Sequence, residues 1–115
     1  MATLANDVLF SIDSALQVAN NCNVESILAH KNMTYKSCTV QIIDNATGGA
    51  LELRLPGSTG TGVAVKGGVM YFVRSVGPDN VVVKGHGTTT VATLATNKFA
   101  FFVSDGTSWY VLADN

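Results

Sequence analysis

Charge is scarce in this chain. Seven basic and eight acidic side chains make 13% of the 115 residues charged, with a net charge of −1, against about 25% charged in an average globular protein. The Lys and Arg are scattered, so there is no basic stripe and no electrostatic footprint for nucleic acid. Histidine is limited to His30 and His86, too few for most metal sites of the Cys/His type. The two cysteines, Cys22 and Cys38, lack metal-ligand or redox spacing. They read as buried free thiols, small core hydrophobes, although spacing alone leaves a disulfide open. No apolar run approaches the ~20 residues that cross a bilayer, which argues against a membrane span. The first ten residues, MATLANDVLF, have neither a basic leader nor a long apolar run, so no signal peptide is expected. The sequons at Asn32 and Asn45 then read as chance matches.

What the chain does hold is apolar. Hydrophobic residues are 47% of it and the mean hydropathy is +0.29. A chain of this length is one domain and can bury roughly two-thirds of its unfolded surface. The apolar surplus points to a subunit interface, since obligate interfaces resemble a core cut in half.

The hydrophobic period changes near Tyr35. Before it, Ala5, Val8, Leu9, Ile12, Ala15, Leu16 and Ala19 repeat at steps of three and four, a helical pattern. The run from Val8 to Ile12 reads equally as a strand or an extended arm. Residues 1–36 are therefore expected to form an N-terminal arm or short helix, outside a β-module of residues 37–115. In the module the period is two. Leu51, Leu53 and Leu55 share one face, Glu52 and Arg54 the other, as in a half-buried strand. Turn signals at 44–49, 56–62, 77–80 and 85–87 recur at the spacing of a sandwich or barrel. The chain closes on FAFFVSDGTSWYVL, residues 99–112, with the only Trp and three of the five Phe. Aromatic and β-branched residues around an Asp-Gly turn mark a β-hairpin. The fold class expected is mainly β: an antiparallel β-sandwich or β-barrel, jelly-roll-like.

No constellation of catalytic residues emerges. The Gly60-Thr61-Gly62 stretch lacks the third glycine of a dinucleotide fingerprint. Lys66 lies between Val65 and Gly67 rather than in a P-loop, and no helix follows, which both motifs need. There is no Gly-x-Ser-x-Gly elbow, and most acidic residues sit in turns or at the terminus, where turn chemistry explains them. No enzyme, metal or cofactor is expected. Exposed aromatics are the usual mark of a glycan-binding module, and Tyr71, Trp109 and Tyr110 are the candidates, although the apolar hairpin around Trp109 favours core or interface.

The stretches LELRLPGSTGTG, VMYFVRSVGPDNVVVKGHG and TLATNKFAFFVSDGTSWYVL together resemble a β-module of tailed-bacteriophage structural proteins. The resemblance covers residues 38–112, about two-thirds of the chain. Its specific part is the closing Ser-Asp-Gly-Thr-Ser-Trp-Tyr turn at 104–110, where Ser108 stands in place of the commoner Asn. It implies a virion structural role without catalytic residues: a capsid decoration (cement), head-fibre or tail-fibre protein, often a homotrimer. With no shaft and no internal repeat in the sequence, a decoration protein is the expectation. It would be made in the host cytoplasm, sit on the capsid surface and bridge neighbouring capsomers of the major capsid protein. The alternative is a fibre module that binds a host receptor or glycan. In the hairpin, Phe99, Phe101, Val103, Trp109 and Val111 are expected to fill the core. Phe102, Tyr110 and Leu112 then point away from it and join Leu4, Val8, Leu9, Phe10 and Ile12 as candidate interface residues.

Overall fold

Alternating apolar and polar residues, broken by short Gly-, Pro- and Asn-rich corners, fold here into two sheets that share one core. The computed structural model describes residues 22–57 and 64–114. The strands are β1 (Cys22–Ile27), β2 (Lys31–Asn32), β3 (Val40–Asn45), β4 (Leu51–Arg54), β5 (Gly67–Ser75), β6 (Val81–Lys84), β7 (Thr90–Leu94), β8 (Phe99–Asp105) and β9 (Trp109–Asp114). A 3-10 turn, His86–Thr88, precedes β7. One sheet has the order β1-β3-β5-β8-β9, the other β2-β4-β6-β7. Among the described residues no helix is long and apolar enough to cross a membrane.

The chain crosses from one sheet to the other at every step from β1 to β6. Strands that neighbour each other within a sheet are therefore parallel: β1 with β3, β3 with β5, β2 with β4, and β4 with β6. Parallel neighbours need a crossover, and here the crossover is a strand of the opposite sheet. The path winds like a coil, each turn contributing one strand to each sheet. Only the last elements reverse, in the antiparallel pairs β5–β8, β6–β7 and β8–β9.

Three expectations are corrected. The sheets are mixed rather than antiparallel, because strand alternation looks the same in both kinds of ladder. They are not closed into a barrel. Part of the segment expected as an arm or helix is strand: β1 and β2 are the outermost strands of the two sheets. The remainder of the expected arm, residues 1–21, lies outside the described residues. There is also a structural repeat, strand-corner-strand, that the sequence does not announce.

Inward positions alternate strictly. Met33, Ile43, Leu53, Leu55, Val73, Val81, Val83, Leu94 and Phe102 are fully buried, with Ile27, Tyr71 and Trp109 almost so. Leu53 and Leu55 point in while Glu52 and Arg54 lie on the outer side, where they pair at 2.8 Å. The β1/β2 end is closed by polar side chains instead. Lys31, on β2, donates to Glu25 across the gap between the sheets and to Gln41 Oε1 at 2.9 Å. Asn23 Nδ2 also donates to Gln41 Oε1, at 2.9 Å. Burial raises the Glu25 carboxyl, but the bonds from Lys31 and Asn23 outweigh it and hold the group below its ordinary value.

Asn45 stands where two corners stack. Its side-chain amide donates to Gly49 O at 2.9 Å and Asn80 O at 2.8 Å. Its Oδ1 accepts from Thr47 N at 3.2 Å and Thr47 Oγ1 at 2.7 Å. All four bonding positions of a fully buried amide are thus used, as burial requires. The corner above it, Gly77 to Asn80, rests directly on this backbone. A Cβ on Gly77 would lie 2.5 Å from Asn45 N and 2.6 Å from Asn45 O, with Asp44 Oδ1 closer still. Gly77→Ala is therefore expected to force the corners apart and destabilise the fold by about 1–3 kcal/mol, a loss of ~5–15 °C in Tm for a domain of this size. Thermal unfolding followed by circular dichroism checks this, and an unchanged Tm refutes the close packing.

Candidate interaction face

The site most distinct in chemistry is an entire sheet face. Register fixes which residues share it. Val40 pairs with Phe72 and Ile42 with Arg74. Phe72 pairs with Phe101, Arg74 with Phe99 and Met70 with Val103, and Val103 pairs with Tyr110. These positions alternate with the buried ones, so all of them lie on the outer side of the five-stranded sheet. The centre of the face is aromatic. Phe72, on the middle strand, stacks on Phe99 with ring centroids 5.5 Å apart and 11° between the planes. Its ring lies 5.9 Å from that of Phe101. Towards the edges Val24, Met70, Tyr110 and Leu112 are 69%, 47%, 51% and 62% exposed.

The outer side of the four-stranded sheet is the opposite in character. Asn32, Glu52, Arg54, Lys84, Thr90 and Thr93 occupy it with Val82. Several of its polar groups pair with one another: Arg54 Nη1 donates to Asn32 Oδ1 at 3.3 Å and Lys84 Nζ to Thr90 Oγ1 at 2.8 Å. One outer face is made for water; the other is not.

Of the candidate interface residues, Tyr110 and Leu112 lie exposed at the edge of this face. Phe102 does not, and here the expectation is corrected: it is fully buried in the core. Conversely Phe99, Phe101 and Val103, expected in the core, are half-buried on the outer face. The hairpin register explains the inversion. Ser104, not Val103, pairs with Trp109, so the buried Trp109 draws Ser104, Phe102 and Ala100 inward with it. Ser104 is tolerated inside because its hydroxyl donates to Lys66 O and accepts from Val69 N at 3.3 Å. Leu4, Val8, Leu9, Phe10 and Ile12 lie outside the described residues.

The Asp-Gly turn of the hairpin is built for its own backbone. Asp105 Oδ1 accepts from Thr107 N and Ser108 N, each at 2.8 Å, an Asx arrangement. Gly106 takes the left-handed conformation at φ +98°. The two backbone donors, Ser108 first, hold the Asp105 carboxyl below its ordinary value. Tyr110 donates its hydroxyl to Asp105 Oδ2 at 3.1 Å, which raises the phenol. Beside this turn lies an open cleft of about 250 Å³ lined by Gly57, Ala64, Val65, His86, Gly106 and Thr107. His86 is exposed there, while His30 accepts from Glu52 N at 3.0 Å through Nδ1. Cys22 is exposed and Cys38 half-buried, so neither is the fully buried thiol expected. Among the described residues no three potential metal ligands cluster.

Two of the three aromatics considered for glycan stacking are structural. Trp109 Nε1 donates to Pro56 O at 2.8 Å, and its ring lies 5.7 Å from that of Tyr71. Tyr71 donates to Thr34 O at 3.1 Å. Comparison with family models, curated proteins and solved structures finds no match.

Burial, with the nearby Tyr35 adding, pushes the Tyr71 phenol from 10.0 up to about 12. The folded value lies above the ordinary one, so the contribution of this neutral phenol to stability is complete below pH 10 and is lost as pH climbs towards 12. Wild type is accordingly expected to lose more stability across that interval than Tyr71→Phe. Denaturant unfolding at stepped alkaline pH tests this, and equal losses in the two proteins would refute it.

Proposed function

We propose that this chain is an assembly subunit of a tailed-phage virion: a capsid decoration protein that self-associates and clamps neighbouring capsomers of the major capsid protein. One observation carries the reading. The outer side of the five-stranded sheet is a largely apolar face with an aromatic centre, while the other outer face is mostly polar, with paired side chains. Monomeric soluble proteins rarely leave a contiguous apolar patch of more than a few hundred Å² in water. The phage assignment, the position on the capsid surface, synthesis in the host cytoplasm and the trimeric state rest on the resemblance carried by residues 38–112, above all the turn at 104–110.

The mechanism is thermodynamic. Apolar area removed from water contributes about 25 cal/mol per Å² before the costs of association. A subunit that binds only the assembled shell stabilises it by mass action. In finer detail the fold is read as a sandwich-like body of two sheets; the jelly-roll expectation draws no support from four parallel pairings. The fibre-tip reading is the weaker one, because of its three aromatics only Tyr110 is exposed at the surface.

Purified protein added to undecorated, expanded capsids of its cognate phage is expected to bind to saturation and raise the capsid melting temperature. Capsids that bind none of it and melt unchanged would overturn the proposal.

A further inference from the structure

The structure assigns the outer face of the five-stranded sheet to contact with a second copy of this chain, centred on the Phe72–Phe99–Phe101 cluster. This rests on the reading of the chain as an assembly subunit and names the partner of one surface. Three observations on the face itself lead to a copy.

The first is its size. Five strands spaced ~4.8 Å apart and about six residues long cover on the order of 400–500 Å² in projection. Two such faces together remove on the order of 1,000 Å² from water, the lower bound of a specific interface. The second is its charge. Among the described residues the face sets one basic and two acidic side chains: Arg74 on β5, Asp44 on β3 and Asp105 at the end of β8. So small a net charge selects neither a strongly basic nor a strongly acidic partner, and it adds little repulsion between two copies. The third is the position of the aromatics. They sit on the middle strand and its neighbour, not at the rim, as the energetically dominant residues of interfaces do. Apolar sheet faces pack on one another at ~10 Å with interleaved side chains. A copy is also the one partner present whenever the chain is made, before any shell is met, and it removes the aggregation risk of an open apolar face.

The test is light scattering of the full chain in shell-free buffer over a wide concentration range. Wild type is expected to show the mass of two or three chains. Met70→Glu and Phe101→Lys are expected to give single chains, or at least a tenfold weaker association, with native circular dichroism. Thr93→Glu, on the polar outer face, is expected to keep the wild-type mass. If Phe101→Lys fails to fold, Met70→Glu decides, since Met70 is already half in solvent. A wild type that stays single at all concentrations overturns the inference; the face is then covered by the chain's own residues 1–21 or by another protein. Folded variants that keep the wild-type mass also overturn it. Capsid binding is scored separately. A monomer that binds capsids refutes this contact alone, whereas an oligomer that ignores capsids refutes the decoration role alone.

Discussion

Two corners of the chain rest on each other with no side chain between them, and much of the structure follows from that contact. Gly77 lies against the backbone of Asn45, whose buried amide ties the lower corner to Gly49 and the upper one to Asn80. Asp79 adds two further ties: its N–H donates to Asn45 O at 2.9 Å, and its carboxylate accepts from Gly48 N at 2.6 Å. Once these corners are locked, the strands that leave them are locked as well. β3 and β5 enter one sheet in register, and β4 and β6 leave into the other. A slip of one residue would turn every side chain to the wrong side. A single buried amide and one missing Cβ thus help to keep Ile43, Val73, Val81 and Leu53 in the interior together.

That interior is sealed differently at its two ends. At β1 and β2 the seal is polar, with Glu25, Lys31, Asn23 and Gln41 spanning the gap between the sheets. At the other end it is aromatic: Trp109 reaches across to Pro56 O, and Tyr71 packs beside it. The two broad surfaces differ in the same way. Polar ladders finish one of them, whereas the other offers phenylalanine rings to the solvent. The molecule therefore has direction. One broad side is aromatic at its centre and the other is laced by paired polar side chains.

How much of this was legible in the sequence varied by element. The Leu51–Leu53–Leu55 stripe declared its inward face because charges occupy the alternate positions. The closing hairpin declared itself through Asp105-Gly106. Its facing did not, because both β8 faces are aromatic and the choice turns on whether Val103 or Ser104 stands opposite Trp109. A hydrophobic scan favours Val103; the hydrogen bonds that accept Ser104 inside are invisible to it. The strand β1 was hidden for a related reason. Its inward residues include Asn23 and Glu25, which close the end of the core rather than fill it, so no apolar alternation marks it. The coil itself left no trace, since its turns share a path and corner contacts rather than a residue pattern. The surplus of apolar residues over charged ones has a counterpart, among the described residues, in the exposed Val24, Met70, Tyr110 and Leu112 of the outer face.

The winding also governs the order in which the chain can fold. Closing a longer loop costs more entropy, and contacts distant in sequence form slowly. Val40 pairs with Phe72 across more than thirty residues, whereas Ser104 meets Trp109 across a four-residue loop. The β8–β9 hairpin is thus the cheapest of these contacts to close. The strands made first have no closed sheet to join until β5 through β9 exist. Four rings of the aromatic face lie on β8 and β9 or beside them on β5, so the face is complete only once the hairpin has docked on β5.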